Sequence, residues 1–138
     1  MNKLMAIAIF MLAVASNPAF ADSSCLLEGR WQSNREMTLA SMSESGTVPE
    51  KYKELFNGDF FGKITIETTC DSFTTYWEDT IDVKAYETLS QAGNTITVRY
   101  VVPEEDIPFT ATLTVLDDCY SIPLERFNFS EYFCKSDQ

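Results

Sequence analysis

The sequence predicts an all-β protein, an antiparallel up-and-down barrel of about seven to eight short strands with one or two short helices after the first. Three observations lead there. From Phe60 onward apolar and polar residues alternate with a period of two, the pattern of strands with one buried face. These stretches are rich in β-branched and aromatic residues, and compact polar turns such as Asp71-Ser72, Gln91-Ala92-Gly93-Asn94 and Asp117-Asp118 separate them. An earlier alternating stretch, Leu26-Leu27-Glu28-Gly29-Arg30-Trp31-Gln32-Ser33, reads as the opening strand, with Trp31 facing inward.

Ahead of that strand, Asn2 and Lys3 precede an apolar run from Leu4 to Ala15, a polar break at Ser16-Asn17-Pro18, and Ala19-Phe20-Ala21. A short basic start, an apolar stretch of about a dozen residues and small residues before a cut are the marks of a secretory signal peptide. The run is short for a bilayer span, which needs about 20 apolar residues. Residues 1–21 are therefore expected to be removed, and residues 22–138 to form one barrel domain, periplasmic or secreted. Losing Lys3 makes the mature chain one charge more negative than the −11 of the full sequence.

Cys25, Cys70, Cys119 and Cys134 all follow the leader. An even count in an exported chain reads as two disulfides, and four cysteines allow three connectivities. A barrel joins its first strand to its last, which favours Cys25 with Cys134 and Cys70 with Cys119.

After Trp31, Ser33 and Glu36 have the spacing of a capping box and predict a helix from Asn34 to about Ser43. Ser45-Gly46-Thr47 ends it, and Pro49 is placed as the first residue of a second helix running to Phe56. Tyr52, Leu55 and Phe56 share one face of that second helix. Strands follow at Gly62–Cys70, Phe73–Glu78 and Thr80–Thr88, the last with Ile81, Val83 and Ala85 on one side and Asp82, Lys84 and Tyr86 on the other. Thr95–Val102 is the clearest strand, with Ile96, Val98 and Tyr100 alternating against Thr97 and Arg99. After the acidic loop 103–108 come Phe109–Leu116, a strand around Cys119–Ile122, and the closing strand Phe127–Lys135.

Gly29-Arg30-Trp31 at the end of the first strand resembles the GxW motif of the lipocalin and calycin group. With Leu55-Phe56-Asn57-Gly58, Asp118-Cys119-Tyr120 and Glu131-Tyr132-Phe133-Cys134-Lys135, most of the mature chain looks like small lipocalin-like exported bacterial proteins. The resemblance implies a barrel whose motif tryptophan packs at the closed end beneath a basic side chain from the last strand. Gly29, Trp31 and Lys135 hold the corresponding places here.

Composition narrows the chemistry. The chain has no histidine, so Ser-His-Asp, Cys-His and His-ligated zinc arrangements are absent, together with the usual general base at neutral pH. No CxxC or EF-hand spacing occurs, and the acids of Glu78-Asp79, Glu104-Glu105-Asp106 and Asp117-Asp118 fall in turns. No catalytic residue, metal or cofactor is implied. Net negative charge argues against nucleic acid as a partner, and no stable membrane insertion is expected once the leader is gone.

Two non-catalytic functions remain. In the first, the barrel holds a small hydrophobic ligand, with Phe73, Trp77, Tyr100 and Tyr120 lining the interior and Tyr52, Leu55 and Phe56 of the second helix acting as a lid or end plug. Its rival is a solid core, since an eight-stranded barrel is just wide enough to be filled by its own side chains. In the second, the acidic surface binds a basic protein, for instance as an inhibitor of a lysozyme-type enzyme, through the loops Glu104–Asp106 and Asp117–Asp118.

Overall fold

The computed structural model describes residues 25–45, 47–102 and 107–136. The expected leader, residues 1–21, and the acidic loop residues Glu104, Glu105 and Asp106 lie outside the described residues.

Eight strands close into an antiparallel barrel in sequence order. They are β1 (Gly29–Ser33), β2 (Thr65–Thr68), β3 (Ser72–Trp77), β4 (Thr80–Ala92), β5 (Thr95–Val102), β6 (Ile107–Leu116), β7 (Cys119–Leu124) and β8 (Phe129–Lys135). Helices α1 (Arg35–Ser45) and α2 (Glu50–Asn57) fill the connection from β1 to β2, and a 3-10 turn, Glu125–Phe127, joins β7 to β8. Closure is made by β1 against β8, with Trp31 opposite Lys135 and Ser33 opposite Phe133. One end of the barrel therefore gathers the start of β1, the turns after β2, β4 and β6, and the end of β8. The other end gathers the two helices and the turns after β3 and β7.

The alternation seen in the sequence sets the inward face. Trp31, Ile66, Tyr86, Ile96, Val98, Leu113, Tyr120 and Phe133 form one buried cluster with Leu27. Their strand neighbours Arg30, Glu67 and Tyr76 point outward, where Tyr76 and Arg30 each donate a 2.6 Å hydrogen bond to the Glu67 carboxylate. A second cluster lies at the helical end, where Phe56 of α2 packs with Phe61 and Phe129.

The disulfides correct the expected pairing. Cys25 is bonded to Cys70 and Cys119 to Cys134, in place of Cys25 with Cys134 and Cys70 with Cys119. Register is the reason. Gly29 pairs with Thr68, which brings the turn before β1 beside the residues after β2. Cys119 and Cys134 stand directly opposite each other on β7 and β8. The β1–β8 seam is thus held by hydrogen bonds and packing rather than by a covalent link.

The cap of α1 also differs from expectation. Asn34, not Ser33, caps the helix, its Oδ1 accepting the Met37 amide at 2.9 Å. Ser33 stays in β1, where its hydroxyl accepts the Gly62 amide and donates to Glu131. Pro49 precedes α2 as its N-cap rather than opening it. β4 runs on past Thr88 to Ala92 because a register shift between Thr88 and Ser90 lets pairing with β5 continue.

Helix α1 takes the place that a longer β1 would occupy beside β8. Thr38 Oγ1 accepts the Tyr132 amide at 3.0 Å and Ser41 Oγ accepts the Ser130 amide at 2.9 Å, while Ser45 Oγ donates to the Asn128 carbonyl. Positions 38, 41 and 45 fall on one helical face, so a stripe of hydroxyls meets the free edge of the last strand. Without it the amides of an exposed edge would lack partners.

Candidate functional site

Trp31 is the floor on which the interior is built. It is 1% exposed, its indole N–H donates to the Leu27 carbonyl at 2.9 Å, and its ring meets Tyr120 edge-on at 4.7 Å. Lys135 Nζ stands 5.5 Å from the indole centroid, within range of a cation–π contact. Gly29 sits where these two side chains pass, with φ +140° and both Lys135 Cε and Trp31 Nε1 3.8 Å from where a Cβ would lie. A side chain there would carry backbone strain, although its Cβ would meet both neighbours at ordinary contact distance. The three signature residues therefore meet at one end of the barrel.

Beside that floor lies a half-open apolar space. A cavity of about 130 Å³ is walled by Leu27, Ile66, Thr68, Phe73, Tyr86, Val98, Tyr100, Ala111, Leu113, Tyr120 and Ile122. Its walls are almost wholly aliphatic and aromatic, with Thr68 and three tyrosine hydroxyls as the polar groups. The Tyr86 hydroxyl donates to the Thr69 carbonyl at 2.6 Å. Burial raises the pKa of Tyr86, Tyr100 and Tyr120, so all three stay neutral at physiological pH. Phe73 stands edge-on to Tyr100, and Phe109 stacks on the Tyr100 ring.

Of the six aromatic residues expected to contact a ligand, Phe73, Tyr100 and Tyr120 line the cavity. Tyr52, Phe56 and Trp77 do not. Phe56 is buried among Phe60, Phe61, Phe127 and Phe129, and Tyr52 stacks on Phe56 while accepting a hydrogen bond from Arg126. Trp77 stands edge-on to Phe60. Tyr52 and Phe56 pack against the β7–β8 connection and the chain entering β2 while Leu55 of the same face is 51% exposed, so the two rings form an end plug, the second of the two roles expected for them.

Two inward-facing acids were not singled out by the sequence. On β4, Asp82 and Lys84 turn inward and form an ion pair, while Ile81 and Val83 point outward and are 66% and 63% exposed. On β8, Glu131 shares its face with the buried Phe129 and Phe133 and stands opposite Ile122. Burial outweighs the 3.3 Å hydrogen bond donated by Ser33 and raises the pKa of Glu131 to about 7. The period-two pattern Phe129-x-Glu131-x-Phe133 was the signal that placed this acid on the apolar face.

β4 and β5 pair only from Tyr86 and Tyr100 onward among the described residues. Where they diverge, a cleft of about 370 Å³ lies between residues 83–87 and 99–101. Tyr86 and Tyr100 border both this cleft and the inner cavity, so the two spaces are separated by one pair of rings.

No group of acids and cysteines among the described residues is arranged to hold a metal ion. No helix among them is long and apolar enough to cross a membrane. No protein-family model, curated protein or solved structure matches the chain.

Proposed function

We propose that this protein is an exported, lipocalin-like binding protein that holds a small apolar ligand inside its barrel. The observation that carries the reading is the apolar cavity beside Trp31. At about 130 Å³ it is close to the engineered cavity of about 150 Å³ that stays dry and takes up benzene. It is smaller than the roughly 300–1,000 Å³ of sites for drug-sized molecules. The ligand class that follows is one ring or a short branched chain, not a retinoid-sized lipid. The two disulfides support export, because such bonds persist in oxidising compartments, as does the leader-like start of the sequence. Meeting of Gly29, Trp31 and Lys135 at one end of the barrel is what supports the lipocalin-like reading.

A titration with toluene, followed by methyl NMR, tests it. Saturable shifts confined to Leu27, Ile66, Val98, Leu113 and Ile122 are expected, all of them cavity wall. Shifts that are absent, or that grow linearly and fall on surface methyls such as Ile81 and Val83, would overturn the reading.

A further inference from the structure

We propose that the ligand is a small organic cation, about one ring in size, whose ammonium group pairs with Glu131, the acid across from the cavity wall residue Ile122. The proposal rests on the cavity being the ligand site and names the chemistry of what enters it.

Glu131 is placed for this by register. It stands directly across from Ile122, a cavity wall residue, and side chains facing each other on neighbouring strands lie about 5 Å apart at Cβ. Its charge is felt by the buried Tyr120, another wall residue. The carboxylate is therefore one side chain away from the space a ligand would fill.

What surrounds it leaves the acid without a counter-charge. From β1 it receives the Ser33 hydroxyl at 3.3 Å. From β7 the titratable neighbour is Tyr120, kept neutral by burial. From α1 the groups directed at β8 are the hydroxyls of Thr38 and Ser41, both engaged with backbone amides. Arg35, at the start of α1, is occupied with the carbonyls of Asn57 and Gly58. Lys135 on the same strand lies over Trp31, and the inward Lys84 is paired with Asp82. Among the described residues no cation forms an ion pair with Glu131.

An acid placed among apolar side chains with one long hydrogen bond costs stability, because its ionised form loses solvation that nothing restores. An ammonium group arriving with the ligand supplies the missing charge and a strong hydrogen bond. The ring that carries it suits the rest of the cavity, where tyrosine and phenylalanine faces take either an apolar group or the edge of a cation. Binding then favours the ionised carboxylate, so a bound cation displaces a proton from Glu131 wherever the acid is still protonated.

Benzylamine and toluene, which share a ring and differ in charge, separate the two layers of the account. In the full chain, benzylamine should bind at least about tenfold more tightly than toluene at pH 8, the strength expected of one charged hydrogen bond. Its affinity should rise between about pH 5.5 and 8 while that of toluene stays flat. Glu131→Gln, which keeps shape and polarity, should remove the preference for the amine and leave toluene binding intact. If toluene binds but benzylamine gains nothing, or keeps its advantage in Glu131→Gln, the ion pair is wrong and the cavity reading stands. If neither binds, both fall. The comparison of the two ligands in the unmodified chain decides the matter even where the variant folds poorly, since an amine that binds no more tightly than toluene at pH 8 overturns the proposal by itself.

Discussion

Trp31 and Glu131 face the same interior from strands that are hydrogen-bonded to each other, and they place opposite demands on it. The indole is fully buried with its one donor satisfied, so it contributes apolar area without a polar cost. The carboxylate is half-buried and accepts one 3.3 Å hydrogen bond, from Ser33. Its pKa of about 7 against an ordinary 4.5 means that the folded state holds the proton more tightly than the unfolded chain. Stability from this group is fully present below about pH 4.5 and is lost as pH rises through about 7. Glu67 behaves in the opposite sense: hydrogen bonds from Tyr76 and then Arg30 lower its pKa, so its contribution is lost only as pH falls below the ordinary carboxylate range. The two windows do not overlap. Thermal unfolding without ligand should therefore show stability declining between about pH 5 and 8, by up to about 3 kcal/mol. Glu131→Gln should flatten that decline. An unchanged slope in the variant would mean that another group titrates there.

At the scale of elements, the joint between α1 and β8 is the least ordinary part of the fold. Thr38 is 0% exposed and its hydroxyl meets a strand amide rather than the helix's own backbone. Thr38→Val keeps the volume and removes the acceptor. It should cost about 1–3 kcal/mol, the usual penalty for an orphaned buried donor, and hydrogen exchange at the Tyr132 amide should accelerate. If that amide stays protected, the helix is not what seals this edge. The sequence concealed this joint because helical faces are read from apolar spacing, and Met37, Leu39, Ala40 and Met42 make no clean stripe; the organising stripe is Thr38, Ser41 and Ser45. The strands were far more legible. Ile96, Val98 and Tyr100 alternate in the sequence and all three face inward, because a half-buried strand leaves its period in the composition. The length of β4 was not legible, since its last residues pair with β5 beyond the core and carry no apolar pattern.

For the molecule as a whole, alternation and turn chemistry were enough to anticipate a closed antiparallel barrel, because every strand must bury one face and the shortest connections join neighbours. Register was beyond their reach. The disulfide pairing depends on it, and so does which of the strand rings reach the cavity. Trp77 is as aromatic as Tyr100 and Tyr120; only its place beside Phe60 keeps it from the cavity wall. The same limit hid Tyr86 and Leu113, two of the larger wall residues. An open space inside a domain of this size forfeits packing contacts that a solid core would make, and ligand binding inside the barrel requires that space to exist in solution.

Xenon, which enters dry apolar cavities without needing a polar partner, tests this most directly. In crystals held under xenon pressure, a bound atom should appear between Tyr86, Val98, Leu113 and Tyr120, and the added side chain of Ala111→Leu, a wall position, should expel it without loss of stability. An interior without xenon, together with a destabilisation of about 1–3 kcal/mol in Ala111→Leu as expected of an overpacked core, would show the barrel to be solid and contradict the account.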